Sequence, residues 1–176
     1  MAQEFTTRNE FFCDEDTFWD AFFAEEFNRR LFLTELKFPE WKRLAFKDEG
    51  TGASRKVAHT FHVQPNIGGL PGPIKKLMGD RFAYEETGGY DGATRKYSFA
   101  NKPNTLADKI VCRGVLATEK LGEKHIVRTA KVSIEVKVMM IGKLAEERFL
   151  ADMQASYATA SRFTETYLKE KGLWSK

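Results

Sequence analysis

Residues 123–172 read EKHIVRTAKVSIEVKVMMIGKLAEERFLADMQASYATASRFTETYLKEKG, and the period of their apolar residues changes once. Ile126, Ala130, Val132, Ile134, Val136 and Val138 fall on one face of an alternating run, while Lys131, Ser133, Glu135 and Lys137 fall on the other. Successive side chains point to opposite sides of a strand, so this run is a strand with one dry and one wet face. From Gly142 the repeat lengthens to a helical one through Phe149, Met153, Tyr157, Ala160, Phe163 or Thr164, and Tyr167. No Pro or internal Gly interrupts it, and Gly172 is placed to end it, which predicts a helix of about 30 residues, roughly 45 Å long. A one-sided strand followed by a long amphipathic helix predicts a sheet folded against that helix.

Upstream, the chain supplies the rest of such a sheet. QEFTTRNEFF (3–12) alternates as a first strand. CDEDTFWDAFFAEEFNRRLFLTEL (13–36) then carries Phe18, Phe22, Phe23, Phe27 and Leu31 at helical spacing. Asp14 or Asp16 caps its start, and two short helices are expected, broken near Glu26 to Asn28. WKRLAFKDEG, SRKVAHTFHV, RFAYEET, TRKYSFA and DKIVCRGVLATE read as further strands, separated by GTG, PNIGGLPGP, GGYDG, NKPN and KLGEK turns. The expected order is strand, helix pair, six strands and long helix in a single domain over residues 1–176. A curved antiparallel sheet around one helix leaves a gap where its concave side chains diverge, and that gap is a candidate pocket.

Composition narrows the function. A chain of 176 residues with 42% hydrophobic residues can bury a core, and its fifteen Phe against five Tyr and three Trp either pack that core or line a hollow in it. The net charge of +3, from 28 basic and 25 acidic residues, is interspersed, which argues against nucleic acid as a partner. Cys13 and Cys112 lie in no metal-binding spacing and read as buried thiols, so no metal or other cofactor is expected. The polar start MAQEFTTRNE and the absence of a long apolar run point to a cytoplasmic protein, with a monomer as the expected state.

The order of elements resembles the helix-grip fold of the START and SRPBCC superfamily, which includes polyketide cyclases, pollen-allergen-like proteins and lipid-transfer domains. More narrowly, FWDAFFAEEFNRRLF (18–32), PGPIKKLMGDRFAYEET (71–87) and the terminal helix resemble a bacterial family of unknown function within it. The resemblance spans nearly the whole chain. It implies an α+β fold in which a curved seven-stranded antiparallel sheet wraps the C-terminal helix, with two short helices after the first strand. It also implies a cavity for a small hydrophobic ligand, such as a lipid, sterol or polyketide, between sheet and helix.

Individual residues carry alternatives. His59 shares a face with Val57, Phe61 and Val63, where it would bond a ligand or stand as a satisfied core histidine. Arg128 lies on the dry face of the last strand, where a charge needs a partner: a ligand anion, an acidic residue or solvent at the strand end. Tyr84, Tyr97, Tyr157 and Tyr167 would offer hydroxyls to a ligand or pack with them at the surface. Glu86 continues the face of Phe82 and Tyr84, but the strand is expected to end near it. Phe22, Phe27, Leu31, Phe82, Phe99, Phe149 and Met153 are core by default or cavity wall by resemblance, as are Val132 and Ala160. No nucleophile elbow, metal cluster or paired carboxylates assign a catalytic residue.

In PNIGGLPGPIKKLMG, Pro65 ends a strand, Gly68, Gly69 and Gly72 give hinge freedom, and Ile74, Leu77 and Met78 are apolar enough to plug a mouth. IKKLMG would also serve as a transient membrane contact, though its shortness favours a lid with Lys75 and Lys76 in water. The leading expectation is a binding or transfer protein for a hydrophobic or amphipathic ligand. The alternatives are a cyclase, aromatase or hydrolase using the same cavity, and a co-chaperone-like interaction module.

Overall fold

A computed structural model describes residues 2–176. Seven strands, β1 (Gln3–Phe11), β2 (Glu40–Glu49), β3 (Lys56–Gln64), β4 (Tyr84–Asp91), β5 (Lys96–Pro103), β6 (Ile110–Gly122) and β7 (His125–Val136), form one antiparallel sheet in the order β1-β7-β6-β5-β4-β3-β2. Five hairpins in succession build β2 to β7, and β1 closes beside β7, with Phe5 opposite Val132 and Asn9 opposite Arg128. This is the α+β helix-grip architecture. On β7 the alternation read from the sequence holds: Ile126, Ala130, Val132, Ile134 and Val136 are buried.

Helix α4 (Gly142–Glu170) lies against β1 and β7. Its start is fixed by two local facts. Glu146 accepts a hydrogen bond from the Val136 N–H at 2.7 Å. At Gly142 any Cβ would meet the Val136 carbonyl at 2.4 Å, so only glycine permits the strand-to-helix corner. Gly172, at φ +69°, ends the helix as a left-handed cap. Beyond it, the Ser175 N–H donates to the Phe12 carbonyl at 2.7 Å, tying the tail to the end of β1. Among the described residues no helix is long and apolar enough to cross a membrane.

Three helical segments fill the connections. α1 (Glu15–Phe23) is capped by Asp14, whose carboxylate accepts the Thr17 N–H at 2.8 Å. It buries Phe18, Trp19 and Phe23, and the Trp19 indole donates to Thr118 Oγ1 at 2.9 Å. The break expected near Glu26 to Asn28 falls instead at Ala24, which leaves the helical region at ψ 131°. Asn28 sits inside α2 (Glu25–Arg29) and braces the corner, its amide donating to the Phe22 and Ala24 carbonyls at 2.9 Å each. The segment continues as a π turn over Arg30–Glu35, closed by the Leu36 N–H on the Leu31 carbonyl. α3 (Gly72–Met78) crosses between β3 and β4.

Two turns expected from composition are strand. β4 runs through Gly88 and Gly89, and its turn comes only at Asp91 to Thr94. A Cβ on Gly88 would lie 2.0 Å from the Tyr97 hydroxyl, so the glycine is there to let the Tyr97 ring cross the sheet. Gly114 on β6 does the same for Phe99. β5 likewise runs through the NKP sequence. Its pairing to β6 ends at Asn101, so Pro103 sits where no N–H is needed on that side.

Candidate functional site

The concave face of the sheet, α2 with its π turn, and α4 enclose a cavity of about 430 Å³. Its wall is built because inward positions alternate along each strand. Tyr84 and Glu86 come from β4, Tyr97, Phe99 and Asn101 from β5, Cys112 and Leu116 from β6, and Arg128 and Val132 from β7. The N-terminal helices contribute Phe22, Phe27, Asn28 and Leu31, β3 contributes His59 and Phe61, and α4 contributes Phe149, Met153, Tyr157 and Ala160. Pro65, Asn66, Ile67, Gly69 and Leu70, followed by Met78 and Phe82, cover one side.

Of the residues singled out as cavity wall or plug, all but Val63, Ile74 and Leu77 stand on this wall. Val63 does not: it packs fully buried with Trp41 and Phe61 in a second cluster beneath Phe32, Leu33 and Phe38. Ile74 does not either, because its side chain is spent docking α3 into the main core. The covering segment contains one residue at positive φ. Gly68, Gly69 and Gly72 all keep ordinary φ, and the left-handed residue is Gly79, at φ +79°, which terminates α3. Lys75 and Lys76 are exposed.

A few polar side chains give the cavity its chemistry. Glu86 accepts a hydrogen bond from the Tyr97 hydroxyl at 3.2 Å, and burial pushes its carboxyl up to about 8, the Tyr97 bond opposing the rise. Tyr84, Tyr97 and Tyr157 are all pushed upward, first by burial and then by the nearby Glu86, so their phenols are neutral donors. Cys112, raised to about 12 by the same causes, receives a weak bond from the Asn101 amide at 3.6 Å and donates to Met153 Sδ at 3.9 Å. The Asn101 carbonyl oxygen is buried without a partner.

Arg128 is 3% exposed. Its Nη2 donates to Asn9 Oδ1 and Ser161 Oγ, both at 2.8 Å, and its guanidinium sits 5.5 Å from the Phe11 ring and 5.8 Å from the Tyr157 ring. His59 Nε2 accepts from Arg43 Nε at 3.1 Å, and burial, then the Arg43 charge, pulls it down to about 4. It is a neutral ring at physiological pH. At the mouth, Arg148 and Asp152 on α4 pair with each other at 3.0 Å.

Sequence reasoning passed over Asn28, Asn101 and Cys112, and it held Glu86 back because Gly88-Gly89 reads as a turn. The signal available was the register itself, since Glu86, Gly88 and Tyr90 continue the alternation of Tyr84.

No curated protein matches the sequence. Three solved structures share the fold. The ZhuI aromatase/cyclase from Streptomyces sp. R1128 aligns at 9% identity and TM-score 0.68, over 97% of this chain and 96% of that one. A norcoclaurine synthase mutant from Thalictrum flavum, solved with a transition-state analogue, aligns at 15% and 0.61, over 97% of both. A START superfamily protein from Mycobacterium smegmatis aligns at 9% and 0.55, over 95% and 97%. At these identities the likeness is one of fold, and that fold is the START-like helix grip anticipated from the order of elements. The family model described as "Protein of unknown function (DUF2505)" matches residues 6–168, nearly the entire sheet and both helical layers, and the chain belongs to that family.

Proposed function

We propose that this protein binds a small apolar or amphipathic molecule in the cavity between sheet and α4, as a carrier or receptor. The observation behind this reading is the void itself: about 430 Å³ kept open among Phe, Leu, Met and Tyr side chains that would otherwise collapse on one another. Ligand affinity would come from apolar burial, with the few polar groups setting orientation. Native mass spectrometry of the purified protein, followed by extraction, identifies any retained molecule.

The direct test is titration with the neutral fluorophore 1-aminoanthracene. Wild type is expected to bind it saturably. Ala160→Trp, which drives an indole into the cavity from α4, is expected to abolish binding while the protein still melts cooperatively. Equal binding by the variant would remove this cavity as the site.

A second reading, acid–base catalysis on a bound substrate, is favoured by one observation. Glu86 is held near the titration range of neutral pH, 3.2 Å from a phenol and facing the same void. A cyclase-type reaction would use Glu86 to take a proton and a Tyr hydroxyl to hold the developing enolate. Glu86→Gln separates the readings, since it leaves binding intact under both and abolishes turnover under the second alone.

A further inference from the structure

Arg128 is a buried cation without a counter-ion. Among the described residues no carboxylate lies within ion-pair distance of it, whereas Arg30, Arg55 and Arg95 each pair with two and Arg148 with one. Its two hydrogen-bond acceptors, Asn9 and Ser161, are neutral and both are taken by Nη2. Nε is buried with no partner, and Nη1 makes no hydrogen bond among the described residues. Burial lowers the guanidinium only to about 10, so it carries its charge at neutral pH. A buried charge left in this state is costly, and proteins ordinarily retain one only where something compensates it.

The surroundings hold the guanidinium in place rather than neutralise it. Asn9 and Ser161 fix Nη2 from β1 and α4, and the faces of Phe11 and Tyr157 flank the group. The side chain lines the cavity, and with Nη2 taken and Nε occluded, Nη1 is the donor left to the space a ligand would fill. The other charged groups on the wall leave this one dominant: Arg148 and Asp152 satisfy each other at the mouth, and Glu86 is largely protonated at pH 7.

We propose that Arg128 anchors the carboxylate of an amphipathic monocarboxylate whose apolar body fills the cavity, Nη1 donating to the headgroup. This narrows the proposed ligand class to a medium-sized organic anion and rests on the cavity being a binding site. A charge-assisted bond from a guanidinium to a carboxylate is roughly twice as strong as a neutral one.

The test uses displacement of 1-aminoanthracene by the ten-carbon pair decanoate and decanol, which share a body and differ in the headgroup. Wild type is expected to bind decanoate at least tenfold more tightly than decanol. Arg128→Met is expected to erase that preference while still binding decanol, and Arg128→Lys to restore part of it. The Met variant removes an uncompensated buried charge, and its melting curve reports whether it folds. The wild-type comparison decides the matter even if the variant does not fold. Decanoate and decanol bound equally by wild type, or a preference that survives Arg128→Met, overturns the anchor and leaves the cavity reading standing. Failure of wild type to bind 1-aminoanthracene or either ligand overturns both.

Discussion

Replacing Glu86 by Gln changes how stability depends on pH, and the size of the change follows from the environment of the carboxyl. In the unfolded chain this group titrates near 4.5, and in the folded protein at about 8, because burial disfavours the charged form. Between those values the folded state holds more protons than the unfolded state, so stability falls as pH rises. The contribution is fully present below pH 4.5 and is lost by about pH 8. The amide introduced by Glu86→Gln would still accept from the Tyr97 hydroxyl and would not titrate. At about 1.4 kcal/mol per pH unit inside the window, wild type is expected to lose about 4 kcal/mol relative to Glu86→Gln between pH 5 and pH 9. Water entering the cavity reduces this figure. His59 acts oppositely: its depressed value of about 4 means that its contribution is lost as pH falls below 6.5. Both chains carry His59, so it cancels in the difference. Urea unfolding of the two proteins at pH 5, 7 and 9 measures the gap. A gap that stays constant within about 1 kcal/mol across the series would refute a buried, proton-holding Glu86.

Two further outcomes follow from packing. Gly88→Ala places a Cβ 2.0 Å from the Tyr97 hydroxyl and forces the ring off the sheet, at an expected cost of about 1–3 kcal/mol, or roughly 2–12 °C in Tm. An unchanged melting temperature would mean that the ring does not cross there. Ile74→Ala empties the docking point of α3, at a cost of about 2–5 kcal/mol if the gap stays open. Under the lid reading, amide exchange across residues 66–79 accelerates while β6 and β7 remain protected. Exchange in that segment as slow as in the central strands, in both proteins, would rule the lid out.

The fold was legible in the chain because its signals are local. The alternation of Ile126 to Val138, the helical repeat from Phe149 to Tyr167 and the cap at Gly172 each depend on a few neighbouring residues and survive into the tertiary structure. Misreadings arose where a residue type serves a distant partner. Gly88 reads as turn chemistry, yet it makes room for Tyr97 on the next strand, and Pro103 reads as a breaker, yet it falls where β6 has already left the ladder. The helix break moved to Ala24 because Asn28 closes the corner onto Phe22 and Ala24, a bond that no periodicity reveals.

The candidate site divides along the same line. Sequence alone determined which residues point inward, because a period of two fixes the face of every strand residue once the register is set. It could not determine which inward residues meet a void and which pack solid. Val63 and Phe61 share a face, but only Phe61 reaches the cavity, since Phe32 of the π turn and Phe38 beyond it pack over the cluster that holds Val63. Nor could it determine electrostatic states. His59 is quenched by burial and then by Arg43 from β2, Glu86 is raised by burial, and Arg128 is left without a counter-ion by what β1 and α4 place beside it. Those states depend on groups brought together from far along the chain. Local pattern therefore specified the container, and long-range packing decided the chemistry inside it.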